Sequence, residues 1–572
     1  MKHQRINFWQ LLRRTFKSFN KREEISLLIF SVIFLFSAVF SYQNIADSAD
    51  LEKIQTGQEV KSKSHIYSEG LIGEIKRLNP VFNDLNPIDK DIDTLVFSAL
   101  SKYDPETGKF VSDIADHSLS TDKKTYTFTI SDNIKWHDGE SLTADDVFFT
   151  YHDVIQHPDF KNPILKSNFE KVKIDLIDNK TVTFTLEYPN SFFYTNTIVG
   201  ILPKHILKDV PVSDLGNHEF NKFPIGSGPY KLEEPYKTLA GGSSQVNLII
   251  NENYFGKLPK IKNLRITTYP SVDFLIKAKT ALHGVPKISE EDLLQNLRED
   301  ERFRIYKYTL PRYTALFLNT ETTILADKKV RLALSKSINK DDLVKKLKNM
   351  RRMDTPLMEL KQDEWLHKSN IEEAKGSLFD GGWKIENNEK FRKNIQGKDL
   401  SLRLISKAYS SDSKKYAEIK TVLDYLQKSW EEIGIELKIE ILDDLTFKEA
   451  LVNRNYDILL YGQDLGYNLD MYSYWHSTQA NKDGLNLSNY TNPKADALIE
   501  SMRNLFDSEN DEKKQDKLRQ LQNEISEDVP VIVLYTPEYF FAADDRIKDI
   551  VISNMMSAGD RFASIAEWYF VK

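Results

Sequence analysis

Two stretches of this sequence gather side chains that could carry chemistry. WHDGESLTADDVFFTYHDV, Trp136 to Val154, sets two histidines and four aspartates among aromatics, with His157 just beyond. Histidine and carboxylate at that density could hold a metal ion or exchange protons. The spacing argues otherwise, because His137, Asp138, His152 and His157 match neither HExxH nor another established ligand pattern. The acids fit helix initiation better. Asp138-Gly139 is a turn pair, and Thr143-Ala144-Asp145-Asp146 fits a capping box ahead of an apolar face of Val147, Phe148, Tyr151, Val154 and Ile155. GSGPY at 226–230 lacks the G-x-S-x-G frame, and no P-loop or dinucleotide fingerprint occurs. No complete catalytic constellation emerges, so neither an enzyme, a cofactor nor a metal site is expected.

The second stretch begins at Gly462 and runs QDLGYNLDMYSYWHS. Asp464, Tyr467, Asp470, Tyr472, Tyr474, Trp475 and His476 mix acids with aromatics and follow neither a helical nor a strand period. Two readings stay open: a packing loop, or the wall of a ligand cleft, where apolar surface is joined by a few fixed polar groups. The elements in front favour a site here. Tyr416, Ile419, Leu423, Leu426, Trp430 and Ile433 share one helical face, Gly434 stops the helix, and IELKIEI alternates as a half-buried strand. TFKEALVNRN then reads as a helix and YDILLYG as a buried strand, and ligands of open α/β sheets sit beyond the carboxyl ends of such strands. Earlier, KTYTFTI at 124–130 and KTVTFTL at 180–186 alternate as strands, and QVNLII through NLRITT reads as strand, turn, strand.

At 572 residues the chain exceeds one ordinary core, and its 40% hydrophobic and 11% aromatic content is that of a packed protein. Residues 1–24 hold seven basic side chains against Glu23 and Glu24, so the remainder carries −12 where the whole chain carries −7. An acidic body argues against nucleic acid as partner. Ile25 to Ala46 spans 22 residues without a charge, about 33 Å as a helix, enough to cross a membrane with the basic end in the cytoplasm. A cleavable signal peptide with a site at Val39-Phe40-Ser41 competes with a retained anchor, and the length favours the anchor. Cysteine is absent, which excludes disulfides, thiolate chemistry and a lipidated-cysteine tether.

Several motifs in order carry a resemblance. SEGLIGEIKRLNPVF leads from Glu69-Gly70 to Asn79-Pro80; WHDGESLTADDVFFTY fits W-x-D-G-x-x-x-T-A-x-D-V-x-F; IGSGPYKL, NENYFGKLPKI, LFLNTETTILADKKVRLALSKSINKDDLV, AKGSLFDGGWK and EISEDVPVIVLY follow. Together they resemble the family 5 extracellular solute-binding proteins, the oligopeptide, dipeptide and nickel binders of ABC importers, over residues 65–545.

That resemblance implies an α/β, two-lobed periplasmic-binding-protein fold of type II with an inserted subdomain: lobe I from 65–97, 222–310 and 535–572, its inserted subdomain at 98–221, and lobe II at 311–534. In front of it, charge and hydropathy predict one transmembrane helix, with a basic tail at 1–24, an anchor at 25–46 and a polar linker at 47–64, hence a single-pass membrane location with the body outside. The resemblance also implies peptide or other small-molecule binding by lobe closure, docking on importer permease subunits, and a monomer. A surface sensor or chaperone-like binder of the same fold, not coupled to import, is the alternative. The implied ligand-binding residues are Glu69, Asn319, Gly462, Asp464, Tyr467, Asp470, Trp475, His476 and Tyr535. In peptide-binding relatives a Gly-Trp pair precedes a loop aspartate that meets the ligand's α-amino group. Here Gln463 stands at the tryptophan and Gly466 at the aspartate, so Asp464 or Asp470 could serve only if the loop is shifted.

Overall fold

A computed structural model describes residues 66–571, apart from 84–85, 361–367, 387–388, 410–411 and 507–510. The tail, anchor and linker expected over 1–64 lie outside the described residues. Among the described residues no helix is long and apolar enough to cross a membrane.

The opening strand Ile66–Ile72 runs parallel to Asn263–Tyr269, which pairs antiparallel with Ser244–Ile250 and through it with Tyr230–Leu232. On its other side lies Gly284–Ile288, which pairs with the long strand Val531–Asp544. Thr125–Ile130 and Thr181–Thr185 are antiparallel neighbours in a separate four-stranded sheet, as their shared alternation suggests. Phe128, Tyr151 and Phe184 pack in one continuous cluster with Tyr67, Ile92 and Leu264.

In the second half, Glu436–Leu442, Ser401–Lys407 and Ile458–Asp464 form a parallel set, continued antiparallel by Arg312–Leu318 and then by Val531–Asp544. Helices cover both faces, so side chains alternate between two cores. Leu316, Leu318, Leu460, Ile532 and Leu534 face one, where Trp430 also lies, while Ala315, Phe317, Leu459, Val531 and Val533 face the other, which holds Trp475. Burial on both faces is why these strands read as unbroken apolar runs.

The helix expected from Tyr416 to Ile433 forms as Ser413–Glu432, and Gly434 takes φ +83° behind it, a left-handed stop that glycine adopts without steric cost. Tyr416 departs from the expected apolar face: it is 44% exposed, because the first turns overhang the sheet. Ile441 departs likewise at 40% exposed, since Glu436–Leu442 is an edge strand with a neighbour on one side only.

Candidate ligand-binding cleft

Two crossings join the two sheets. Val531–Asp544 serves both: Tyr535, Thr536 and Pro537 pair with Arg352, Arg351 and Met350, whereas Glu538 to Asp544 pair with Thr309 to Phe303. The ladder therefore changes partners at Glu538. The second crossing is Leu310-Pro311, between Phe303–Thr309 and Arg312–Leu318. A proline at each crossing removes a backbone donor where the ladder is interrupted anyway.

Away from the crossings the lobes touch again. The Tyr467 hydroxyl donates to Asp560 Oδ1 at 2.5 Å, its ring packs 5.7 Å from Tyr103 and 6.2 Å from Phe110, and the Lys90 ammonium sits 5.0 Å above it. Burial lifts the Asp560 carboxyl to about 6, against hydrogen bonds from Tyr467 and the Ser557 and Met556 amides, and burial together with the nearby acid raises the Tyr467 phenol. Elsewhere Ser191 N–H donates to the Arg503 carbonyl at 2.8 Å, and Phe192 is buried in the second lobe's core beneath the Lys514 ammonium.

The residues expected at the site separate into three groups. Gly462 and Asp464 are exposed at the end of strand Ile458–Asp464, with Asp464 paired to Arg312 of the neighbouring strand, whereas Tyr467 in the loop beyond meets the first lobe. Asp470, Trp475 and His476 turn into the second lobe. Asp470 holds Arg503 at 3.0 Å, Trp475 is 2% exposed, and His476 stacks on Tyr472 with Thr478 on Nδ1. Asp470 thereby braces the helix end that receives Ser191, so the loop divides between the packing and the cleft-wall readings. The third group, Asn319 and Tyr535, is tied into the second lobe. Asn319 donates to the Arg454 and Tyr456 carbonyls, and Tyr535, in the crossing strand, donates to Glu418 at 2.7 Å.

Glu69 is wholly buried, and both carboxylate oxygens are taken. Arg561 reaches Oε1 at 3.0 Å and Oε2 at 2.6 Å, Tyr67 donates to Oε1 at 2.9 Å, and Arg561 also binds Asp91 at 2.7 Å. Burial alone would lower the guanidinium's pKa; Asp91 and Glu69 more than reverse this and raise it. The triad fastens the C-terminal segment onto the opening strand, with both Glu69 oxygens hydrogen-bonded inside the protein.

Two α/β sheets linked through one shared strand give a frame to compare with known proteins. The family model described as bacterial extracellular solute-binding proteins, family 5 Middle, matches residues 109–484. The chain belongs to that family. The oligopeptide-binding protein AppA of Bacillus subtilis is 27% identical over 559 residues, covering 92% of this chain and 96% of its own. The structure of Bacillus subtilis AppA in complex with a nonapeptide superposes with TM-score 0.66 at 25% identity, over 88% of this chain and 99% of that one. NikZ of Campylobacter jejuni, in complex with Ni(L-His), shares the fold at TM-score 0.66 and 24% identity, covering 88% and 99%. Family 5 solute-binding proteins are binding proteins rather than enzymes.

In this family 5 protein the signature stretch is a clasp. His137 Nδ1 accepts from Gly226 N–H at 3.1 Å and Nε2 faces the Gly228 carbonyl at 3.2 Å, which fixes the proton on Nε2. Burial lowers this imidazole to about 4, so it is neutral at physiological pH. A Cβ on Gly226 would lie 1.9 Å from the Val96 carbonyl oxygen, which is why the clasped loop is glycine-rich. Asp146 accepts from Thr143 N–H and from Lys204 N–H, both at 2.9 Å, and Asp138 meets His205. His152 and His157 pair with Asp153 and Asp159, so the four suspected ligands do not converge. Among the described residues no group of three His, Asp or Glu side chains is placed to hold a metal. Thr143 and Asp146 do cap, but the helix widens into π-type turns over Phe149–Ile155, which buries Phe149 and leaves Phe148 at the margin of the expected face.

Sequence reading passed over Lys287, Arg312, Tyr539 and Arg561. Arg312 donates to the Tyr539 hydroxyl at 3.1 Å while pairing with Asp464, so it ties the crossing to the cleft loop. Isolated basic residues outside any motif gave no signal of this role.

Proposed function

We propose that this chain is the extracytoplasmic substrate-binding component of an ABC importer, capturing peptides between its two lobes and held at the membrane by Ile25 to Ala46. The strand Val531–Asp544, shared by both sheets with its change of partners at Glu538, is the observation that carries this reading. It permits relative rotation at two short crossings, while contacts such as Tyr467 to Asp560 are available only when the lobes are together. A ligand that touches both lobes favours the closed form by its differential affinity for it, and a permease that recognises that form then receives occupied protein. The oligopeptide-binding description of the Bacillus subtilis relative supports peptide as the cargo.

Native mass spectrometry of the full chain from its own host, joined to thermal stabilisation by a peptide pool, tests the reading. Co-purifying peptide and a raised melting temperature are expected. Absence of both withdraws peptide capture. Retention in alkali-washed membranes, lost on deletion of residues 1–46, checks the anchor.

A further inference from the structure

Two cationic donors beside the crossings, one from each sheet, have no protein acceptor among the described residues. The Lys287 ammonium makes no hydrogen bond or ion pair there; the side chain is half-buried, with Arg312 and Asp464 of the second lobe and Asp91 and Arg561 of the first within electrostatic reach. Each nearby carboxylate is engaged elsewhere: Asp91 by Arg561, and Asp464 by Arg312 and the Gly466 amide. Arg312 Nε is likewise buried without a partner, while the same side chain's terminal nitrogens bond Tyr539 and Asp464.

The backbone under Lys287 is built for its position. Val285 opposes Ala542 and Ile288 opposes Phe540, so Gly284–Ile288 carries one extra residue, a bulge that re-aims side chains. Lys287 itself takes φ +52°, a left-handed conformation that is costly for a side chain with a Cβ. A strained residue presenting an unpaired ammonium, within electrostatic reach of a buried guanidinium nitrogen that has no partner, leaves two donors from opposite lobes for one anionic acceptor to answer.

We propose that Lys287 and Arg312 Nε form an anion clasp that takes a carboxylate of the ligand between them and so ties the lobes together. This rests on the peptide-capture reading and deepens it: the ligand is acidic at the end that meets the crossings. Burial, and next the Arg312 charge, lower the Lys287 pKa, and an entering carboxylate opposes that shift.

Thermal stabilisation and calorimetry on the full chain in detergent provide the test, with wild type, Lys287→Met and Lys287→Arg. The probes are a peptide pool with free C-termini, the same pool amidated and lacking Asp and Glu, an amidated pool containing Asp, and a set of non-peptide dicarboxylates. Wild type is expected to prefer the free-acid pool over the neutral amides by about tenfold or more. The preference vanishes in Lys287→Met and returns in Lys287→Arg. Preference for the Asp-containing amides, lost in Lys287→Met, assigns the carboxylate to a side chain and also supports the clasp. Equal binding of acids and neutral amides, or an unchanged preference in Lys287→Met, overturns it. If no peptide pool binds wild type, peptide capture fails; the clasp then stands only if the dicarboxylates stabilise in a Lys287-dependent way, and is overturned if they do not.

Discussion

The Tyr467 hydroxyl and the Asp560 carboxylate, 93 positions apart, meet at 2.5 Å between the two lobes. Ring contacts to Tyr103 and Phe110 make this a packed junction, formed only where the loop after Ile458–Asp464 lies against the first lobe.

Replacing Tyr467 by Phe removes the donor and keeps the ring. Each lobe keeps its own core, so the melting temperature is expected to move little, while small-angle scattering of the ligand-free protein shifts toward a larger radius. An unchanged scattering profile would show that the junction does not hold the lobes together.

Asp560 gives a pH dependence whose sign follows from its environment. Its carboxyl titrates near 6 when buried, against about 4 in an unfolded chain, so the native state binds more protons in between. Its contribution is most favourable below pH about 4 and is lost as pH rises toward 6, by about 2–3 kcal/mol. Stability measured by urea denaturation across that window should fall less steeply with pH for Asp560→Asn than for wild type. Opening hydrates the group, so acid favours the closed form over the same range.

Arg561 neutralises two buried carboxylates at once. Arg561→Met leaves Glu69 and Asp91 buried and unpaired and is expected to destabilise by about 3–5 kcal/mol in urea unfolding. Glu69→Gln, which keeps one acceptor and leaves Asp91 on the guanidinium, is expected to cost less. Equal losses would mean that the triad acts through packing alone.

The clasp of His137 on the 226–228 loop is tested at its tightest point. Gly226→Ala drives a methyl group into the Val96 carbonyl, which is backbone and cannot yield, so a loss of about 3 kcal/mol is expected from thermal or urea unfolding. His137→Ala removes both loop contacts and lowers stability as well. Neither substitution touches the cleft, so the surviving folded protein should bind ligand with unchanged affinity.

What the sequence determined by itself is local. Alternation sets Thr125–Ile130 and Thr181–Thr185, Thr143 with Asp146 starts its helix, and Gly434 ends another, because period, cap and stop act within a few residues. Motif order pointed to the family and to the loop after Gly462. Only the tertiary structure decided how that stretch is divided, with Asp464 held at its strand end by Arg312, Tyr467 turned to the first lobe, and Asp470, Trp475 and His476 turned inward. It also joined Glu69 to Arg561 across 492 positions, left Tyr416 in solvent, and set Lys287 on a bulge beside Arg312. Sheet register and the meeting of two lobes fix those relationships, and neither leaves a trace in the spacing of neighbouring residues.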